Sequence, residues 1–263
     1  TGVNLIGSDG SNTILSGDGN DVVNAGTGND LLIGGTGRGT DVYIGGAGVD
    51  TVSYPSALAG FQLYIDLALG KAYDVDPSSP WIDFDTLIGI ENVIGGSDSD
   101  TIIGSDVANV LDGGAGVGAD TIDGGAGDDV LIGGLGDDVL IGGLGNDTAV
   151  FNNLSVDATV AFENGVLTVT QPDGSGGVFT NTLTGIENVQ FSDSSMSVVS
   201  ATNVNGGPVT LDMAAIVGSG GAATSLQFGN LPVGAIVMVG GLVVSAVNGA
   251  YAVPPGGLGN VTV

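Results

Sequence analysis

An aspartate, twice replaced by asparagine, recurs through two stretches of this sequence: Asn12, Asp21, Asp30, Asp41 and Asp50, then Asp100, Asn109, Asp120, Asp129, Asp138 and Asp147. The step is nine residues, stretched to eleven once in each series. Each of these residues is sixth in a unit rich in glycine, most regular over 124–150, which reads GGAGDDVLI, GGLGDDVLI, GGLGNDTAV. Carboxylates repeated this often are too many and too evenly spaced for an acid–base pair. They form a ladder of hard oxygen donors, and a ladder of like charges needs a cation between its rungs. With main-chain carbonyls that the glycines leave unobstructed, the donors make an all-oxygen cage, which suits a cation taking six to eight ligands at flexible geometry: calcium rather than magnesium.

The elements that must hold such a cage follow from the same units. Glycines at positions one, two and four permit a tight turn that other residues would strain. The last three residues then form a short strand, whose period of two turns the position-eight side chain inward. The inward set is Ile14, Val23, Leu32, Tyr43 and Val52 in the first array, and Ile102, Leu111, Ile122, Leu131, Leu140 and Ala149 in the second. Two units make a flattened coil of about 18 residues, and coils stack at about 4.8 Å. Alternate units therefore share an edge. The expected cation slots lie between Asn12 and Asp30, Asp21 and Asp41, Asp30 and Asp50, Asp100 and Asp120, Asn109 and Asp129, Asp120 and Asp138, and Asp129 and Asp147, up to about seven inter-turn calcium sites. The two extra residues of the fourth unit belong in the turn around Arg38.

The consensus GGxGxDxUx resembles the calcium-binding nonapeptide of the RTX (repeats-in-toxin) family. The resemblance implies a calcium-loaded parallel β-roll, export unfolded through a type I channel and folding on arrival outside the cell. It is similar in this to segments of large secreted RTX adhesins and S-layer-type surface proteins.

Composition excludes several other classes. There are 29 acidic residues against two basic ones, Arg38 and Lys71, and the net charge is −27. Nothing on such a chain can neutralise nucleic-acid phosphates or anionic lipid. The longest apolar run, 234–247, is interrupted by glycines and too short to span a bilayer. Without His or Cys, triads of the Ser-His and Cys-His types are absent and zinc sites of the usual ligands are not expected. Lys71 reads as a surface lysine in a turn-rich insertion. The regularly placed carboxylates are accounted for by the repeat, so the chain is read as non-catalytic. Tyr43 reads as core, and Trp81 with Phe84 as a cover for apolar surface beside the roll, with an aromatic sugar-binding platform as the sharper alternative.

Five segments are expected: a first array over 1–53, an insertion over 54–94, a second array over 95–150, a flanking block over 151–200, and a small β module over 201–263. The insertion holds an alternating strand (Phe61, Leu63, Ile65, Leu67), a loop from Asp74 to Pro80, and TLIGIENV over 86–93, which returns as TLTGIENV over 182–189. Array plus flanking block is thus duplicated, and both blocks are expected to cap an open roll end. Past residue 200 acidic residues nearly vanish, and alternation with paired glycines resembles the immunoglobulin- or cadherin-like modules of giant RTX adhesins. The sequence opens inside a degenerate repeat, which points to a piece of a longer protein. The fold class expected is all-β: a parallel β-roll in two arrays with flanking strands, then a small antiparallel β-sandwich-like module. The function expected is a calcium-binding structural segment of a secreted cell-surface or matrix protein, with self-association or a surface partner. The competing readings are a subunit of an S-layer or extracellular filament, and the secretion and folding module of an exoenzyme or toxin.

Overall fold

The computed structural model describes residues 2–34, 39–55, 62–75, 84–163 and 166–197, together with short strands beyond 209. The chain winds as coils, each laying one strand in each of two facing sheets. The first three coils are β1 (Asn4–Ile6) with β2 (Thr13–Leu15), β3 (Val22–Thr27) with β4 (Leu31–Ile33), and β5 (Val42–Ala47) with β6 (Thr51–Ser53). A hairpin follows, β7 (Gln62–Asp66) and β8 (Lys71–Val75), and then a coil from β9 (Phe84–Ile88) and β10 (Asn92–Ile94). The second array gives β11 (Thr101–Ser105) with β12 (Val110–Asp112), β13 (Thr121–Ala126) with β14 (Val130–Ile132), and β15 (Val139–Leu144) with β16 (Thr148–Phe151). After a single 3-10 turn at Ser155–Asp157 come a second hairpin, β17 (Thr159–Glu163) and β18 (Val166–Pro172), a last coil from β19 (Val178–Thr184) and β20 (Asn188–Phe191), and β21 (Ser195–Ser197).

The order in the long sheet is β1-β3-β5-β9-β8-β7-β11-β13-β15-β19-β18-β17, and in the short sheet β2-β4-β6-β10-β12-β14-β16-β20-β21. The coil strands pair in parallel and in register by repeat position: Ile122 opposite Leu140, Leu111 opposite Leu131, Leu131 opposite Ala149. Parallel pairing is what a solenoid requires, since every coil travels the same way round. The inward positions are the core. Val23, Leu32, Tyr43, Val52, Ile102, Leu111, Ile122, Leu131, Leu140 and Ala149 are fully buried, while Ile14 in the second strand is only partly buried against them. Most coil strands thus bury a single large side chain, with Phe151 and Phe191 added in β16 and β20, the last two coil strands of the short sheet, and hydrophobic burial per residue is thin.

The two arrays form one continuous roll. In the short sheet β10 joins β6 to β12 directly, with Val93 stacked between Val52 and Leu111. In the long sheet β9 continues β5, and the antiparallel β8 and β7 are interposed before β11. The long sheet therefore carries two strands that the short one lacks at this point. The string TLIGIENV is thus a coil within the roll and not a cap at its end, because Leu87 and Val93 occupy inward positions and pair in register with Tyr43 and Val52. Its duplicate over 182–189 is built the same way: Leu183 lies opposite Leu140, and Val189 opposite Ala149. Beyond it, β18 and β17 extend the long sheet and β21 the short one.

Lys71 is in strand β8 rather than in a turn, opposite Asp66 and Thr86, because the hairpin turn closes earlier, at 67–70. Asp74 likewise belongs to β8. Val75 also belongs to β8. The expected bulge around Arg38, residues 76–80 of the expected loop, Trp81 and Phe61 lie outside the described residues, as does most of the β module expected after residue 200. There the described strands, Thr210–Leu211, Val237–Val239, Leu242–Val244, Ala246–Val247, Ala250–Tyr251 and Val261–Thr262, pair antiparallel where they pair.

Candidate metal centre

The glycine turns bring the position-six residues to the two edges of the roll. At Gly143 and Gly145 φ is +104° and +152°, and a Cβ at these positions would collide with the carbonyl oxygens of Gly125 and Gly127 in the coil before. Loops thus stack with carbonyl oxygens against bare Cα atoms, an approach that only glycine permits.

All seven expected pairs are adjacent. The backbone N–H of the earlier member donates to the side-chain Oδ1 of the later one: Asn12 to Asp30 and Asp21 to Asp41 at 2.7 Å, Asp30 to Asp50, Asp100 to Asp120 and Asn109 to Asp129 at 2.8 Å, Asp129 to Asp147 at 2.9 Å, and Asp120 to Asp138 at 3.0 Å. One carboxylate oxygen in each rung is therefore satisfied by main chain. The other oxygen defines the chemistry. Oδ2 of Asp21, Asp30, Asp50, Asp129, Asp138 and Asp147 is buried and has no hydrogen-bond partner. A buried, unpartnered carboxylate oxygen is costly, and a row of them is costlier. Burial pushes the carboxyls up: Asp100 and Asp129 to about 6 and Asp120 to about 7, with Asp50, Asp138 and Asp147 also raised, and neighbouring carboxylates add to the effect at Asp120 and Asp129.

Among the described residues no three acidic side chains converge. The oxygens that meet are one carboxylate and a carbonyl of the next loop: a Cβ on Gly113 would strike Asp120 Oδ2 and Gly133 O, and one on Gly124 would strike Asp129 Oδ2 and Gly142 O. Such a mixed carboxylate and carbonyl set fits a hard divalent cation, and calcium above all.

The ladders run further than the nonapeptides. Asp41 N–H donates to Asp85 Oδ1 at 2.8 Å, Asp50 N–H to Glu91 Oε2 at 2.8 Å, Asp138 N–H to Asn181 Oδ1 at 3.2 Å and Asp147 N–H to Glu187 Oε2 at 3.0 Å. Sequence reasoning missed these four positions because no Gly-Gly precedes them. The signal was present in the spacing to the inward residue: Asp85 to Leu87, Glu91 to Val93, Asn181 to Leu183 and Glu187 to Val189 all repeat the step from position six to position eight.

One edge of the first array is closed by tyrosines. Tyr43 hydroxyl donates to Asp41 Oδ2 at 2.9 Å and lies 2.9 Å from Ser16 Oγ, and Tyr54 hydroxyl donates to Asp85 Oδ2 at 3.0 Å. Burial lifts the Asp85 carboxyl to about 7. Phenol groups here take the oxygens that are open elsewhere. Tyr43 is core, as expected; Phe84 is half-exposed on the outer face, in a row with Tyr73 and Tyr64 at centroid distances of 5.4 Å and 4.9 Å.

A parallel β-roll edged by stacked Asp and Gly loops defines a class of calcium-repeat solenoid. The RTX calcium-binding nonapeptide repeat matches in four copies, at residues 6–40, 36–52, 85–117 and 116–149. No curated protein matches it. Among solved structures it is similar to the extracellular lipase LipA of Serratia marcescens, at 18% identity over 70% of this chain, with a TM-score of 0.26; the chain spans 38% of that structure's length. Among the described residues no helix is long and apolar enough to cross a membrane.

Proposed function

We propose that this chain is a non-catalytic structural segment of a secreted, adhesin-like surface or matrix protein, and that it folds when it meets extracellular calcium. The observation that carries this is the set of six buried, unpartnered carboxylate oxygens stacked along a roll whose sequence holds only two basic side chains. Ionised at neutral pH, such oxygens call for cations between them. Ordering 51 glycines costs more conformational entropy than the thin core recovers. A ligand that binds only the folded state then supplies the missing free energy by mass action. Extracellular calcium modules bind at about 0.1 to 1 mM, a concentration met outside the cell. Binding and folding become one event that occurs after export.

The test is far-UV circular dichroism with light scattering during calcium titration of EDTA-treated chain, with magnesium as control. A coil-to-β transition with calcium alone is expected. A full β signal in EDTA at neutral pH would overturn the folding switch. Growth of scattering along with the transition would favour a filament- or layer-forming role over a monomeric spacer.

A further inference from the structure

We infer that Glu91 and Glu187 each complete a calcium site with the aspartate one coil before, Asp50 and Asp147 respectively, at positions that the nonapeptide pattern does not cover. The inference rests on the calcium reading above and extends it to the two GIENV turns.

In the regular coils two oxygens face the glycine that opens each loop: Oδ2 of that loop's own aspartate and the carbonyl of the glycine that opens the next loop on the same edge, as at Gly113 and Gly124. Both junctions keep this pair. A Cβ on Gly45 would strike Asp50 Oδ2 and Gly89 O, and one on Gly142 would strike Asp147 Oδ2 and Gly185 O. The pairing survives although the following turn, Gly89-Ile90-Glu91 or Gly185-Ile186-Glu187, is three residues shorter than the glycine loop it replaces. Glutamate, one methylene longer than aspartate, spans the shortened turn and accepts the same backbone N–H, from Asp50 at 2.8 Å and from Asp147 at 3.0 Å.

Hydrogen bonding alone does not account for a carboxylate here. A glutamine would accept that N–H equally well and would not set a second negative charge beside a fully buried aspartate. Asp50 and Asp147 are both 0% exposed, and both keep an Oδ2 without a partner. The opposite edge of the same two coils shows the alternative solution. There Asp85 receives the Tyr54 hydroxyl, and its counterpart in the second block is the uncharged Asn181. That edge meets its carboxylate with a hydroxyl donor in one copy and carries an amide in the other, whereas this edge sets a glutamate beside a buried aspartate in both copies of the duplication. A divalent cation held between Asp50 and Glu91, and between Asp147 and Glu187, accounts for the difference.

The test is a count of bound calcium by native mass spectrometry on the whole chain, for wild type, Glu91→Gln, Glu187→Gln and the double variant, with the β signal at saturating calcium as the check of folding. Each single variant should bind one calcium fewer than wild type and the double variant two fewer, with the β signal retained because glutamine keeps the acceptor. Glu187→Gln lies in the last coil and cannot unzip the roll from its middle, so it decides the matter should Glu91→Gln fail to fold. An unchanged calcium count in a folded Glu187→Gln would overturn the inference and leave these glutamates as hydrogen-bond acceptors. A wild type that binds no calcium would instead overturn the calcium reading itself.

Discussion

The backbone N–H of Asp129 donates to Oδ1 of Asp147 at 2.9 Å, while the Oδ2 of each residue is buried with no partner. In this rung one carboxylate oxygen builds the roll and the other is placed to ligate a cation. Folding and metal binding draw on the same side chain, and several measurements can separate the two.

Removal of the charge without the acceptor is one route. Asp129→Asn keeps an oxygen for the N–H of Asn109 but removes a negative charge from the cage. The calcium midpoint of folding should rise by about tenfold, equivalent to about 1.4 kcal/mol. Asp128→Asn, on the exposed side of the same loop and bonded to the N–H of Asn146, removes a solvent-screened charge and should move the midpoint far less. Equal midpoints for both variants in a calcium titration would show that Asp129 is structural only.

Acid should substitute partly for calcium. Burial holds Asp100 and Asp129 near 6 and Asp120 and Asp85 near 7, above the ordinary aspartate value. Groups raised on folding favour the folded state below their unfolded pKa, and that contribution disappears as pH climbs through the folded values. In EDTA the β signal should be strongest below about pH 4 and should fade between about pH 5 and 7.5. In calcium titrations at a series of pH values, binding to the folded chain should weaken as pH falls, because protons and metal compete for the same oxygens. A β signal in EDTA that is flat from pH 4 to 7.5 would contradict this.

Glycine positions differ in what they tolerate. Gly143→Ala places a methyl group against Gly125 O at φ +104°, whereas Gly174, at φ +78°, has open space around its Cα. Gly174→Ala should lose only the conformational strain of about 1–2 kcal/mol. Gly143→Ala should lose more, because the loops cannot close their spacing. Thermal unfolding at saturating calcium ranks the two, and equal losses would mean that loop stacking is not as tight as described.

The tyrosine-closed edge should matter whether or not metal is added. Tyr54→Phe removes the hydroxyl donated to the part-buried Asp85 carboxylate, at a cost of about 1 kcal/mol. Its calcium count should equal that of wild type. Leu131→Ala, in the middle of the inward row, should cost about 2–5 kcal/mol by opening a cavity between Leu111 and Ala149. Thermal unfolding at saturating calcium reads both losses, and either variant melting with wild type would refute its part.

Much of this molecule is local in origin and so was legible in the chain. The strand and turn of each unit follow from residue types only nine positions apart. Adjacent repeats stack because each leaves one apolar side chain and one row of main-chain groups unpaired, so the inward row from Val23 to Ala149 and the seven rung pairs could be read from spacing. Composition likewise fixed the donor set: with 29 acidic residues, and neither His nor Cys, only an oxygen cage was available.

Tertiary structure alone decided what depends on residues far apart. Asp50 meets Glu91 and Asp147 meets Glu187 across about forty positions, because each hairpin leaves the winding path and the chain then returns to it. No local period can mark that return. The hairpins also decided that GIENV is a coil and not a cap, since Val93 finds Val52 and Leu111 on either side. Packing alone placed the Tyr43 and Tyr54 hydroxyls on Asp41 and Asp85, closing one edge while the edge of Asp50 stays open, because only the folded interior determines which oxygens a buried phenol can reach.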